Sequence, residues 1–233
     1  ATNPKKYIFS PGNEIPLNTL YLSAYLDQFN KEHMLLDLRM FRKPFKQLDK
    51  VIREYSPTIV CVTACSCEIV GAHVVADRVK KWNNAVPVII GGIHVSAMPE
   101  RTLRQYPAFD IIVVGEGEIT LLELVNAFEQ ETDWLNIPGT VIRNNHNIRH
   151  NAPRPLVDNI DIFPFPNRAR VNVKKYYPNP ITYNHQRLPT TGIIASRGCP
   201  YNCYHCSKGV WGKGARYRSA KNVFLEMQQC VDE

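Results

Sequence analysis

Short apolar runs alternate with amphipathic segments through the first 130 residues, and this alternation leaves few folds open to the chain. Candidate strands are Lys6 to Ser10, Met34 to Arg39, Thr58 to Ala64, Val86 to Gly91 and Asp110 to Gly115. Helical periodicity fills the intervals at Leu17 to Phe29, Phe45 to Glu54, Glu68 to Trp82, Pro99 to Gln105 and Ile119 to Glu131. Strands that alternate with helices predict an α/β fold, a doubly wound parallel five-stranded sheet with right-handed crossovers. Ligands of such sheets bind at the carboxyl ends of the strands.

The loops expected at those ends are small and polar. They read Ser10-Pro11-Gly12-Asn13-Glu14, Cys65-Ser66-Cys67, Gly91-Gly92-Ile93-His94-Val95-Ser96 and Gly115-Glu116-Gly117-Glu118. Glycine there lets backbone amides approach a large ligand closely. The first strand is not followed by G-x-G-x-x-G, so the sheet is Rossmann-like without a dinucleotide fingerprint. Cys61 lies mid-strand and reads as a core residue. Cys65 and Cys67 suit a loop of small residues lining a cofactor better than a second metal site with Cys61, since alternation along a strand points the side chains apart. Glu116 and Glu118 fit two roles, hydrogen bonding to a ligand or favouring the N-terminus of the following helix.

A second constraint lies near the other end, in Ser196-Arg197-Gly198-Cys199-Pro200-Tyr201-Asn202-Cys203-Tyr204-His205-Cys206-Ser207. Thiolates are soft ligands suited to iron-sulfur clusters and zinc, and three at C-x3-C-x2-C spacing converge only if the loop wraps around the metal. Gly198 and Pro200 help it to wrap. A closed structural site takes four ligands, whereas three thiolates on a four-iron cluster leave one iron open to an outside molecule. A zinc knuckle with His205 or Cys230 as fourth ligand is the rival, although adjacent His205 and Cys206 would be awkward joint ligands. An odd set of clustered cysteines without a secretory signal points away from disulfides.

The cysteine loop closely resembles the motif of the radical S-adenosylmethionine (SAM) superfamily. The resemblance extends upstream: Pro16-Leu17 with Leu20 to Leu26, then Gly91 to Glu100, then Val113 to Thr120 look like the cobalamin-binding domain that precedes the radical SAM core in one large subfamily. It implies a 4Fe-4S cluster on Cys199, Cys203 and Cys206, with SAM chelating the fourth iron and Tyr204 and His205 beside SAM. His205 stands where the family usually has an aromatic residue. It further implies a corrinoid across the C-terminal edge of the sheet, against Gly12, Asn13, Thr63, Cys65, Ser66, Gly91, Gly92, His94, Ser96, Gly115, Glu116 and Gly117. The D-x-H-x-x-G sequence that supplies a lower histidine ligand in some cobalamin domains is absent, so the expectation is cobalt without histidine from the loop at Ser10 to Asn13.

The expected organisation is a cobalamin-binding domain at 1–132, a hairpin and proline-rich linker at 133–190 and the start of a radical SAM domain at 191–233. Ile137 to Arg143 and Ile148 to His150 read as the hairpin, around an Asn-rich turn. Prolines from Pro153 to Pro189 punctuate the linker, where Asp158 to Pro166 resembles the subfamily's connector. Ile193 to Ala195 would be the first strand of a partial TIM barrel, the cysteine loop its βα loop and Ala220 to Cys230 its first helix. A complete barrel needs on the order of 200 residues, so the 233-residue chain reads as the N-terminal part of a longer enzyme.

Of the net charge of +7, eleven Lys or Arg lie between Arg168 and Lys221 with no Asp or Glu among them. Such a strip suits nucleic acid, a charged cofactor or substrate, or a surface whose acidic partner lies elsewhere; the aromatic residues form no RNA-binding pattern, which favours the last two. No apolar stretch is long enough to span a membrane and no signal sequence opens the chain, so the expectation is a cytoplasmic protein. The resemblance implies a methyltransferase acting on an unactivated carbon through a 5'-deoxyadenosyl radical, on a small-molecule or peptide substrate, with an electron donor such as flavodoxin or ferredoxin. Its rivals are a radical SAM enzyme that does not use cobalamin, for example one transferring methylthio groups to RNA, and a non-catalytic corrinoid-binding module.

Overall fold

The structure is a computed structural model that describes residues 14–144, 147–176, 191–206, 208 and 210–232. The strand expected at Lys6 to Ser10, the candidates Gly12 and Asn13, and Pro178, Pro180 and Pro189 of the linker lie outside those residues. In chain order the helices are α1 (Leu17–Gln28), α2 (Pro44–Tyr55), α3 (Ile69–Trp82), α4 (Ile93–Ala97), α5 (Pro99–Gln105), α6 (Glu118–Glu129) and α7 (Ala220–Asp232). The strands are β1 (Val60–Thr63), β2 (Val88–Gly91), β3 (Ile111–Val113), β4 (Thr140–Asn144), β5 (Asn147–His150), β6 (Ser196–Cys199) and β7 (Gly214–Tyr217). The chain forms two compact units, one of Phe41–Leu156 with Gly198–Gly214, the other of Thr2–Met40, Val157–Arg197 and Ala215–Glu233.

The first unit is α/β, built on a five-stranded sheet of order β1-β2-β3-β4-β5. Strands β1, β2 and β3 are parallel, whereas β3 with β4 and β4 with β5 are antiparallel. The sheet is therefore mixed, not parallel throughout. The cause is local. Gly139, at φ 78°, turns the chain so that its carbonyl accepts from Val114 N–H at 2.8 Å, which starts β4 beside the end of β3 and makes it run back. The short connection from Asn144 to Asn147 then permits only an antiparallel partner.

Both faces of the sheet carry apolar side chains, as strands covered by helices require. Ile89, Ile111 and Ile142 share one row of the register and pack with Val113 and with Leu124 and Ala127 of α6. Val88, Ile90, Ile112 and Val141 alternate with them and are also buried. Cys61 lies opposite Ile89 at the β1 edge of the described sheet and is exposed there, in place of the expected core position.

In the second unit, α1 contributes Leu17 and Leu20 to a cluster with Ile15, Leu35, Met40, Val171, Val173 and Tyr176. The strand expected at Met34 to Arg39 does not form. Asp37 interrupts the apolar run, and its carboxylate accepts from Arg39 N–H at 3.0 Å, from the Arg39 guanidinium and from Tyr176 O–H at 3.0 Å, a local bonding pattern that competes with a ladder. Strand β6 starts three residues later than expected, at Ser196, and pairs with β7. The carbonyls of the expected strand are otherwise engaged: Gly192 O accepts from Arg168 at 2.8 Å, Ile194 O from the Arg218 side chain at 2.9 Å and Ala195 O from Arg218 N–H at 2.9 Å.

Candidate functional site

The C-terminal ends of β1, β2 and β3 carry the candidate loops, and hydrogen bonds tie those loops to one another. Ala64 N–H donates to Gly91 O at 3.2 Å, which joins the loops after β1 and β2. His94 Nδ1 lies 3.1 Å from Ser66 Oγ across the same two loops. Gly115 N–H donates to Ser96 Oγ at 3.0 Å, which joins the loops after β2 and β3. Thr63, Cys65, Ser66, Gly91, Gly92, His94, Ser96, Gly115, Glu116 and Gly117 are thus brought to one edge of one sheet.

Their environments differ. Ser96 is buried with its hydroxyl engaged, and a side chain on Gly92, at φ 108°, would meet Ala64 O at 2.6 Å. These two build the edge. Gly91 has no neighbour closer than 3.9 Å to the place a Cβ would occupy, and Thr63, Ser66 and His94 reach solvent. Partial burial, followed by the charge of Arg101, lowers the pKa of His94 from its ordinary value and favours the neutral imidazole. Glu118 is buried in the first turn of α6, where an acidic side chain suits the helix dipole; Gly117 stands at the N-cap.

Two exposed apolar residues join this edge. Val70 lies in the first turn of α3 and Ile93 opens α4, and they are 63% and 58% exposed. An apolar residue in the first turn of a helix after a small, polar loop is the signal that could have found them, since a solvated helix start ordinarily carries polar side chains. A flat, largely apolar ligand rimmed by polar groups fits an edge that offers hydroxyls, an imidazole, bare backbone and exposed aliphatic carbon.

The cysteine loop belongs to the same unit as the sheet. Cys199 ends β6, and Cys206 N–H donates to Cys203 O at 3.1 Å, forming a turn. Lys208 Nζ donates to Asn202 Oδ1 at 3.1 Å and to Tyr201 O, so its ammonium spans the loop. Gly198, at φ 89°, lies so close to Gly214 O that no side chain would fit. Gly115 and the Val210 carbonyl are also neighbours, with 3.6 Å between that oxygen and the place a Cβ on Gly115 would take. All three thiols are exposed, as are His205 and Tyr204, and none of them is in a disulfide.

Among the described residues no three His, Cys, Asp or Glu side chains gather around a point where one metal ion could sit. A four-iron cluster makes a different demand, because each thiolate binds its own iron, and three thiols on one loop meet that donor chemistry.

A family model described as the B12 binding domain matches residues 9–125, the span that holds β1 to β3 and their loops. An uncharacterized methyltransferase of Pyrococcus horikoshii is 34% identical over 215 residues, which cover 91% of this chain and 45% of the relative. An anaerobic magnesium-protoporphyrin IX monomethyl ester cyclase of Cereibacter sphaeroides is 29% identical over 81% of this chain and 30% of its own length. Among solved structures, the radical SAM methyltransferase TsrM of Kitasatospora setae, with cobalamin and a [4Fe-4S] cluster bound, superposes at a TM-score of 0.72 with 23% identity, over 94% of this chain and 43% of TsrM. The chain spans less than half the length of each of these proteins.

Proposed function

The chain belongs to the B12 binding domain family, and we propose that it forms the N-terminal part of a cobalamin-dependent radical SAM methyltransferase. The observation that carries the reading is the coincidence of the family match at 9–125 with an edge whose three loops are tied together and whose exposed groups suit a corrinoid.

Each group on the edge then has a task. Gly91 leaves room beside the backbone for a large ligand, while Thr63, Ser66, His94 and Glu116 offer polar partners to its rim and Val70 and Ile93 cover its apolar carbon. Gly92 and Ser96 set the relative positions of the loops. On the cysteine loop, Cys199, Cys203 and Cys206 would hold three irons, Tyr204 and His205 would lie beside SAM, and Lys208 would hold the loop in its turn. Bound together, cluster, SAM and corrinoid would supply reductive cleavage of SAM and delivery of a methyl group to a carbon that carries no activating group. Similarity to an anaerobic cyclase supports ring formation as a second outcome of the same chemistry, which product analysis would separate from methylation.

The test is anaerobic reconstitution of the full-length parent with iron and sulfide. The reading predicts about four irons per chain, falling sharply when Cys203 is changed to Ala. Zinc in place of iron, or iron content indifferent to Cys203→Ala, would overturn it.

A further inference from the structure

Cys65 and Cys67 form an arrangement that the proposed function does not use. Their sulfurs lie 3.1 Å apart in the loop after β1, in contact through a thiol hydrogen bond. The turn between them is closed at both ends: Cys65 N–H donates to Glu68 Oε2 at 3.1 Å, and Glu68 N–H donates to Cys65 O at 3.0 Å. That closure holds both side chains on one side of the loop. Cys67 is exposed and Cys65 half-buried, so one sulfur meets solvent and the other waits beside it. Burial, the contact with Cys67 and the Glu68 carboxylate push the Cys65 thiol up to about 12, which keeps that thiol protonated at rest. No metal site competes for the pair among the described residues.

We propose that Cys65 and Cys67 are a reversible dithiol–disulfide couple that exchanges with small-molecule disulfides. In the oxidising direction the Cys67 thiolate attacks one sulfur of the small disulfide, forming a mixed disulfide and expelling one thiolate. Cys65 then loses its proton to solvent and attacks the Cys67 sulfur, which closes the Cys65–Cys67 bond and releases the second small thiol. Two protein thiols are oxidised and one small disulfide is reduced to two thiols. An exposed disulfide that spans one residue belongs to the easily reduced class, so a small dithiol reverses the step. Closure draws together the two residues flanking Ser66, whose hydroxyl meets His94, so the redox state of the pair is felt by the loop after β2. The inference stands on the geometry of the loop and holds whether or not a corrinoid binds there.

The experiment equilibrates the anaerobic full-length protein in buffers of oxidised and reduced glutathione, quenches with acid, alkylates with N-ethylmaleimide and maps the peptides by mass spectrometry. The expected result is that the peptide carrying Cys65 and Cys67 becomes two hydrogens lighter and unalkylated in oxidised buffer, and returns to doubly alkylated in reduced buffer. With the pair separated, Cys67 in the Cys65→Ser variant should be alkylated about tenfold faster than Cys65 in Cys67→Ser. Two thiols that stay alkylated in the most oxidising buffer, or a bond from either one to Cys61 or to a cysteine of 199–206, would overturn the proposal.

Discussion

Glu226 is fully buried between two arginines, with Oε1 accepting from Arg168 at 2.6 Å and Oε2 from Arg218 and, at 3.4 Å, from Tyr21 O–H. Burial, followed by the Glu226 charge, pushes Tyr21 up to about 12 against the opposing arginines, so the phenol stays protonated as a donor. Replacing Glu226 by Gln keeps the shape but, among the described residues, leaves the two guanidiniums it pairs with short of their counter-charge, and Arg168 Nη1 already has no partner there. The expected cost is about 3–5 kcal/mol, read by chemical denaturation; a loss below about 1 kcal/mol would contradict this view of the cluster. Asp37 sets an acid limit in the same unit. Burial alone would raise its carboxyl, but the Arg39 hydrogen bonds and charge and the Tyr176 bond outweigh it and lower the pKa. Its contribution is therefore present above the unfolded value of about 4 and is lost as pH falls through the lower folded value. Denaturation at a series of pH values should show Asp37→Asn losing stability at neutral pH and converging on the parent in acid.

At the scale of elements, neighbouring glycines separate construction from recognition. Gly92→Ala forces a side chain into Ala64 O at an unfavourable φ and should cost on the order of 1–3 kcal/mol. Gly91→Ala meets nothing closer than 3.9 Å and should stay within about 1 kcal/mol of the parent, while weakening retention of hydroxocobalamin in the full-length protein. Thermal melting and cobalt content check the two halves of that contrast. The helices were legible because their apolar spacing is periodic: all six expected ones form within two residues of their expected ends, as do the three expected strands β1, β2 and β3. Side-chain partners that no spacing reveals explain the misses. Asp37 turns Met34 to Arg39 away from a ladder, and Arg168 and Arg218 take the carbonyls of Gly192 and Ile194. The hairpin was legible as a hairpin, but its antiparallel place on the main sheet depends on the turn at Gly139. The candidate cysteines and glycines stood out by motif, whereas Val70 and Ile93 become candidates only once exposure is known.

For the whole molecule, the basic strip takes on a different meaning. Arg168, Arg197 and the side chain of Arg218, part of a strip that suited either a charged ligand or a surface, are buried; Glu226, just beyond the strip, pairs with two of them, and Arg197 stacks on the rings of Tyr21 and Phe163. Part of the charge excess thus belongs to the interior of one unit. No described helix is long and apolar enough to cross a membrane. The central claim is that the edge formed by the loops after β1, β2 and β3 holds a corrinoid. The most direct measurement is cobalt per chain in the full-length protein after anaerobic incubation with hydroxocobalamin and removal of the excess. The account predicts one tightly held cobalt, reduced severalfold by Gly91→Ala at unchanged melting temperature; iron retained on the cysteine loop without any cobalt would contradict it and favour a radical SAM enzyme that does not use cobalamin.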